Sequence, residues 1–295
     1  MRTLLTTLCA LTLLLGSVVR ANDSGSGSTL TLVVMDPLAG PLACDCVQGY
    51  AQRKYEKLGE FLTKKLAKKV NVIWAENLKA GLEESKGAAD LIIGKHSVVL
   101  ADAAANKVAV KPLARLTDQK DSADQTGMFV VRTGDPAKTV ADLKGYRILF
   151  GPADCDEKSV AMVELLKANS ISVPSPMETA PSCSTAAVTL MELPADTKAA
   201  AVISSYAAPL LEGCKKVKKG DLRVIGESKP VPFITAFVRK DLPKETVDLI
   251  AKALDDVGLD AQLLIDLETA SGFEPWKEEA SKTDKKVTEI KTSTR

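Results

Sequence analysis

Cysteine and histidine carry the most chemical potential in this chain, which has six cysteines and one histidine. Cys9 lies in an apolar N-terminal run, leaving Cys44, Cys46, Cys155, Cys183 and Cys214 in the body of the sequence. Thiolates together with an imidazole suit copper or zinc, so Cys44, Cys46, His96, Cys155 and Cys183 form a candidate metal set. Their spacing limits that reading. Cys44 and Cys46 are one residue apart, unlike the usual zinc pair, and neither a C-x-x-C redox motif nor a C-x-x-C-H haem attachment occurs. In an oxidising compartment the same residues are candidates for disulfides among Cys44, Cys46, Cys155 and Cys183, with Cys214 spare or joined to Cys183. An odd number leaves at least one thiol over. His96, beside a predicted helix start, also reads as a hydrogen-bonded or capping side chain.

Catalysis needs more than these residues supply. With one histidine, a Ser-His-Asp or Cys-His triad has a single candidate base, and no G-x-S-x-G, Walker or Rossmann glycine signature accompanies it. Multi-histidine zinc catalysis is excluded by the count. The expectation is a protein that is not an enzyme, the nearest enzymatic rival being a thiol redox protein using Cys44 and Cys46. The formal net charge is +1, from 39 Lys+Arg against 38 Asp+Glu. No basic cluster is interleaved with aromatics, so nucleic acid is not an expected partner.

The N-terminus sets the compartment. Met1 and Arg2 precede an apolar stretch from Leu4 to Val19 and a small-residue end at Ala21, the layout of a cleaved secretory signal over residues 1–21. Residues 22–29 then read as a flexible leader and 277–295 as a polar tail. The run is too short for a bilayer anchor, so the expectation is a periplasmic or otherwise extracytoplasmic protein without stable membrane insertion after cleavage.

The elements that must position the chemistry alternate. Leu30–Met35 is a buried-strand run, Tyr50 to Lys69 has helical periodicity, and Val70–Trp74 and Ala89–Gly94 are further strands with a short helix at Leu78–Ser85 between them. A helix from Ser97 to Asn106 and a strand from Val108 to Leu116 follow. The pattern restarts at Met128–Val131 and Tyr146–Gly151, with helices at Lys158–Asn169 and Ala186–Leu193. Strands at Ala199–Ile203, Leu222–Ile225 and Phe233–Val238 come next, then helices at Lys244–Val257 and Asp260–Ala270. Repeated strand-helix-strand units imply α/β layers with mainly parallel sheets flanked by helices.

Three stretches carry a family resemblance. Thr139 to Gly151 (TVADLKGYRILFG) resembles the "ADLKGKRVAFG" segment of the phosphate/phosphonate-type periplasmic substrate-binding proteins of ABC importers. Ala89 to Val99 (ADLIIGKHSVV) resembles their "VDIAFLGPFSYV" loop. Asp221 to Ser228 and Arg239 to Pro243 resemble their "LRVIWESPPIP…VVRKDLP" return. The resemblance implies the two-lobed type 2 periplasmic binding protein fold with a two-crossover hinge. Lobe 1 would comprise 30–126 and 236–276, and lobe 2 residues 127–235. It also implies capture of a phosphate- or phosphonate-like oxyanion for an ABC permease. The alternative on the same fold is a cysteine-rich protein that delivers a metal or cofactor to an exported redox protein.

Ligands of open α/β sheets lie beyond the carboxyl ends of strands. The resemblance therefore points to Cys44, Asp45 and Cys46, to His96 and Ser97, to Asp154, Cys155 and Ser159, to Cys183, Ser184 and Thr185, and to Ser205 and Tyr206. Serines, threonines and backbone amides at helix starts hold the oxyanion in the family; Ser97, Ser159, Ser184 and Thr185 are the candidates here. Lys95 and Arg53 are candidate sources of positive charge, and Trp74 a candidate pocket wall. One departure stands out: where relatives carry a "GSTSG" run, this chain has Asp154, Asp156 and Glu157, and carboxylates there repel an anion.

Overall fold

The computed structural model describes residues 29–43 and 52–277. In chain order the elements are β1 (Leu30–Met35), α1 (Tyr55–Leu66), β2 (Val70–Trp74), α2 (Leu78–Glu84), β3 (Leu91–Lys95), α3 (His96–Ala105), β4 (Val110–Leu116), β5 (Asp124–Gln125) and β6 (Gly127–Arg132). They continue with β7 (Arg147–Phe150), α4 (Val160–Ala168), β8 (Glu178–Thr179), α5 (Cys183–Glu192), β9 (Ala199–Ser204), α6 (Ala207–Gly213) and β10 (Leu222–Glu227). The chain closes with β11 (Val231–Pro232), β12 (Ile234–Arg239), α7 (Lys244–Asp255), α8 (Ala261–Asp266) and β13 (Phe273–Pro275).

These strands form two mixed sheets. The first has the order β13-β4-β12-β3-β1-β2 and the second β10-β6-β9-β7-β8. Each is parallel where strand-helix units build it, at β1–β2 and β1–β3 and at β7–β8 and β7–β9, and antiparallel where a strand returns, as β12 does beside β3 and β4. The short pair β5–β11, with Gln125 opposite Val231, ties together the two segments that cross between the sheets. The C-terminal elements return to the first sheet through β12 and β13, as expected of two lobes sharing a double crossover.

Strand alternation sends neighbouring side chains to opposite faces. Leu32 and Val34 therefore enter one core of the first lobe with Tyr55, Leu58 and Leu62 of α1, whereas Val33 and Met35 enter the other with Val99 and Ala103 of α3. The second lobe repeats the arrangement, Met128 and Val130 packing on α5 while Phe129 and Val131 pack on α4. All six residues of β1 and of β9 are buried, which is why both read as near-continuous apolar runs.

Sequence periodicity finds the long elements and misses the short ones. α6 is seven residues with Pro209 in its first turn, where the missing N–H has no intrahelical role. Val140–Leu143 forms a 3-10 turn closed by a reciprocal Thr139–Asp142 capping box. The signal segment 1–21, nearly all of the leader and the tail beyond Lys277 lie outside the described residues. No described helix is long and apolar enough to cross a membrane.

Candidate functional site

The carboxyl ends of β1, β3, β7 and β9 face one cleft between the lobes, which holds a cavity of about 370 Å³. Its first wall is the loop after β1, shaped by Asp36. That fully buried carboxylate accepts from Leu38 N (2.8 Å), Arg53 Nη1 (2.8 Å) and Tyr55 Oη (2.6 Å). Arg53, expected as a possible ligand cation, is thereby a structural partner. Leu38, Leu42, Met35 and Val98 give the first lobe's side of the cavity an apolar surface.

Lys95 ends β3 and is buried. Its ammonium donates to Glu157 Oε1 across the inter-lobe boundary. The same oxygen accepts from Ser204 Oγ at 2.6 Å, and Ser204 N in turn donates to Cys183 Sγ at 3.3 Å. Burial alone raises the Glu157 carboxyl, but the Lys95 ammonium, the bonds from Lys95 and Ser204, and nearby Lys158 hold it below its ordinary value. Burial opposes the charge on Lys95 too, yet Tyr206, Glu157 and Cys155 hold its pKa above the usual value. The pair is therefore ionised. Glu157 Oε2 is buried with no hydrogen-bond partner.

The turn Asp156–Lys158 brings a second ammonium to the cavity. Lys158 is 5% exposed and lines the cleft, with its aliphatic stem laid over the open face of Gly151, where any Cβ would collide with it. Among the described residues no carboxylate lies within ion-pair distance of Lys158, and its ammonium has no hydrogen-bond partner. Sequence reasoning missed this residue. The signal was available in its place beside Asp154, Asp156 and Glu157, but nothing in the sequence says which of these charges neutralise one another.

The residues expected at the site are placed in different ways. Asp154, Cys155, Cys183, Ser184 and Tyr206 line the cavity. Ser97, Ser159 and Ser205 stand nearby with their hydroxyls used internally. Ser97 Oγ donates to Asp154 O (2.6 Å) and accepts from Asp156 N (3.1 Å), bridging the lobes; Ser159 Oγ donates to Cys155 O (2.8 Å); Ser205 Oγ accepts from Thr126 N (3.1 Å) at the crossover. Thr185 is exposed on the first turn of α5, where its N–H donates to the capping Ser182 Oγ. Cys44, Asp45 and Cys46 lie outside the described residues.

His96 stands apart, because it points away from the cleft. Successive side chains at the β3–α3 junction diverge, so Lys95 takes the cleft side and His96 the rear. There it stacks on Trp276 (4.8 Å, 5° between planes) and shares a 3.1 Å hydrogen bond with Thr235 Oγ1. Burial and the nearby Arg115 charge lower its pKa to about 4. Of the expected thiol-imidazole set, His96 is thus turned away from Cys155 and Cys183, and among the described residues no three His, Cys, Asp or Glu side chains are gathered as a metal would require. Of the disulfides expected among Cys44, Cys46, Cys155 and Cys183, with Cys214 spare or joined to Cys183, none involves a described cysteine, since Cys155, Cys183 and Cys214 are each a free thiol. Burial raises the Cys155 thiol, against the lowering effect of Lys95 and Lys158, and favours its neutral form. Trp74 is a partly buried packing residue of the first lobe.

Residues 48–280 match the family model described as the periplasmic substrate-binding protein of the phosphonate ABC transporter. No curated protein matches in sequence. Among solved structures, a Xanthomonas citri protein bound to ATP is 15% identical with a TM-score of 0.64, over 90% of this chain and 96% of that one. A binding-protein component of an ABC phosphonate transporter from Pseudomonas aeruginosa is 13% identical with a TM-score of 0.63, over 90% and 87%. A Prochlorococcus marinus protein in complex with methylphosphonate is 13% identical with a TM-score of 0.58, over 90% and 98%. Identities this low establish a shared two-lobed fold.

Proposed function

Because this chain belongs to the phosphonate ABC-transporter family of periplasmic substrate-binding proteins, we propose that it captures a small organic anion between its lobes and presents it to an ABC permease. The observation that carries the anion is Lys158. Lys158 is a 5%-exposed residue that lines the cavity, and its ammonium has no partner among the described residues, so it is a cation left free to meet a bound anion in a low-dielectric wall. Ser184, on the first turn of α5, supports the same reading, since hydroxyls and free amides at a helix start favour negative charge.

The rest of the lining favours a ligand with an apolar body. Apolar residues, Leu38, Leu42, Val98, Leu210 and Leu211 among them, make up more of the wall than polar ones around a space that accommodates only a small molecule. Binding, not turnover, fits these groups: the sole histidine is on the rear of the sheet and the buried Cys155 thiol favours its neutral form. Export on the N-terminal signal, with cleavage after Ala21, belongs to the same proposal and is checked by the N-terminal mass of the secreted protein.

The binding test is calorimetry of the mature protein against small phosphonates, sulfonates and carboxylates, repeated with Lys158→Met. The expected result is saturable one-to-one binding that weakens at least about tenfold in the variant, the loss of one charge-assisted contact. Equal affinity in wild type and Lys158→Met removes the basis of the proposal.

A further inference from the structure

The charges in the cleft wall do not add up to a site for a doubly charged ligand. Two buried lysines stand there, Lys95 and Lys158, but Lys95 is already held by Glu157, a side chain 0% exposed. Glu157 Oε2 has no donor of its own, so the carboxylate's charge, set just behind the cavity wall, is offset by Lys95 and Ser204 and, through space, by Lys158. The other charged groups at the cleft are acidic: half-buried Asp154 and exposed Glu76 line it, and half-buried Asp156 adjoins Glu157. Cys155, Cys183 and Tyr206 complete the titratable neighbours. One ammonium, that of Lys158, is left to meet a ligand.

We propose that the cleft selects oxyanions bearing a single negative charge, an alkylsulfonate or the monoprotonated form of an alkylphosphonate, and that Glu157 sets this limit by neutralising Lys95 from within. The inference rests on the anion reading above and narrows it. A first negative charge pairs with Lys158. A second finds no free cation and instead faces Asp154 and the Glu157 charge in a poorly solvated space, where like-charge repulsion is strong. The carboxylates that replace the glycine- and serine-rich run of the resembled family thus act as a charge filter.

The deciding experiment is calorimetry of the wild-type protein with matched methyl- and longer alkylsulfonates and alkylphosphonates, across the second ionisation of the phosphonate. The sulfonate keeps its charge throughout and reports any titration of the protein itself. Relative to the sulfonate, phosphonate affinity is expected to fall about tenfold per pH unit above that ionisation, since only the monoanion binds. In Glu157→Gln, which frees Lys95, this fall is expected to flatten or reverse. Wild-type phosphonate affinity that holds or rises with pH overturns the charge limit and leaves anion capture standing. A fall that is unchanged in folded Glu157→Gln overturns the role of Glu157. Binding of neither anion class overturns the anion reading and this inference together. If Glu157→Gln does not fold, the wild-type profile still decides the charge limit.

Discussion

Lys95 and Glu157 illustrate how one side chain changes the meaning of another. A buried ion pair is weak evidence of stabilisation, because both charges leave water, but removing one partner strands the other. Lys95→Met is therefore expected to destabilise the protein by about 3–5 kcal/mol, read as a lower denaturation midpoint at unchanged slope. The pH dependence follows from the shifts. Glu157 has a depressed pKa, so its contribution is present above its unfolded value, near 4.5, and is lost as pH falls through the lower folded value. Lys95 has a raised pKa, so its contribution is present below its unfolded value, near 10.5, and is lost only as pH rises through the higher folded value. Acid unfolding of the wild type is expected to begin with protonation of groups like Glu157, and Lys95→Met is expected to weaken that acid dependence; an identical acid profile in the variant contradicts this account.

At the scale of elements, the site depends on how closely the Asp156–Lys158 turn approaches the start of β6. Gly127 makes that approach possible. A Cβ at this position would overlap the Glu157 carbonyl oxygen and lie 2.6 Å from Met162 Sδ. The backbone of Gly127 is also committed, its N–H donating to Ser228 Oγ and its carbonyl accepting from Ser228 N. Gly127→Ala is expected to displace the turn that carries Glu157 and Lys158, costing about 1–3 kcal/mol as overpacking does and weakening ligand binding at the same time. Calorimetry and thermal melting measure both effects; a loss of stability with full affinity would mean the turn is not displaced. Gly134 has open space around its Cβ position, so Gly134→Ala is the matched control, expected to leave binding unchanged.

The molecule as a whole is described with its lobes in contact. Lys95–Glu157 and the Ser97 bridge to Asp154 and Asp156 join the end of β3 and the start of α3 to the second lobe. Such contacts exist only when the lobes are near one another, and hinge motion about the β5–β11 crossovers competes with them. Small-angle scattering of the ligand-free protein tests this: Lys95→Ala with Ser97→Ala is expected to raise the radius of gyration above that of wild type. If the two curves superimpose, these bonds do not hold the lobes together.

Much of this architecture was legible in the residues themselves. Near-continuous apolar runs such as Leu30–Met35 and Ala199–Ser204 require strands buried on both faces, and the spacing of Tyr55, Leu58 and Leu62 requires a helix lying against them. With motifs in family order, these patterns determined a two-lobed α/β binding protein and the loops that meet at its cleft. They could not determine which charges pair, because Lys95 and Glu157 are far apart in the chain and meet only when two lobes are built and brought together. Nor could they turn His96 away from its neighbour Lys95, or leave Lys158 as the ammonium without a partner. Local patterns depend on residues a few positions apart and are written in sequence; the charge balance of the cleft depends on long-range contacts, and only the tertiary structure decided it.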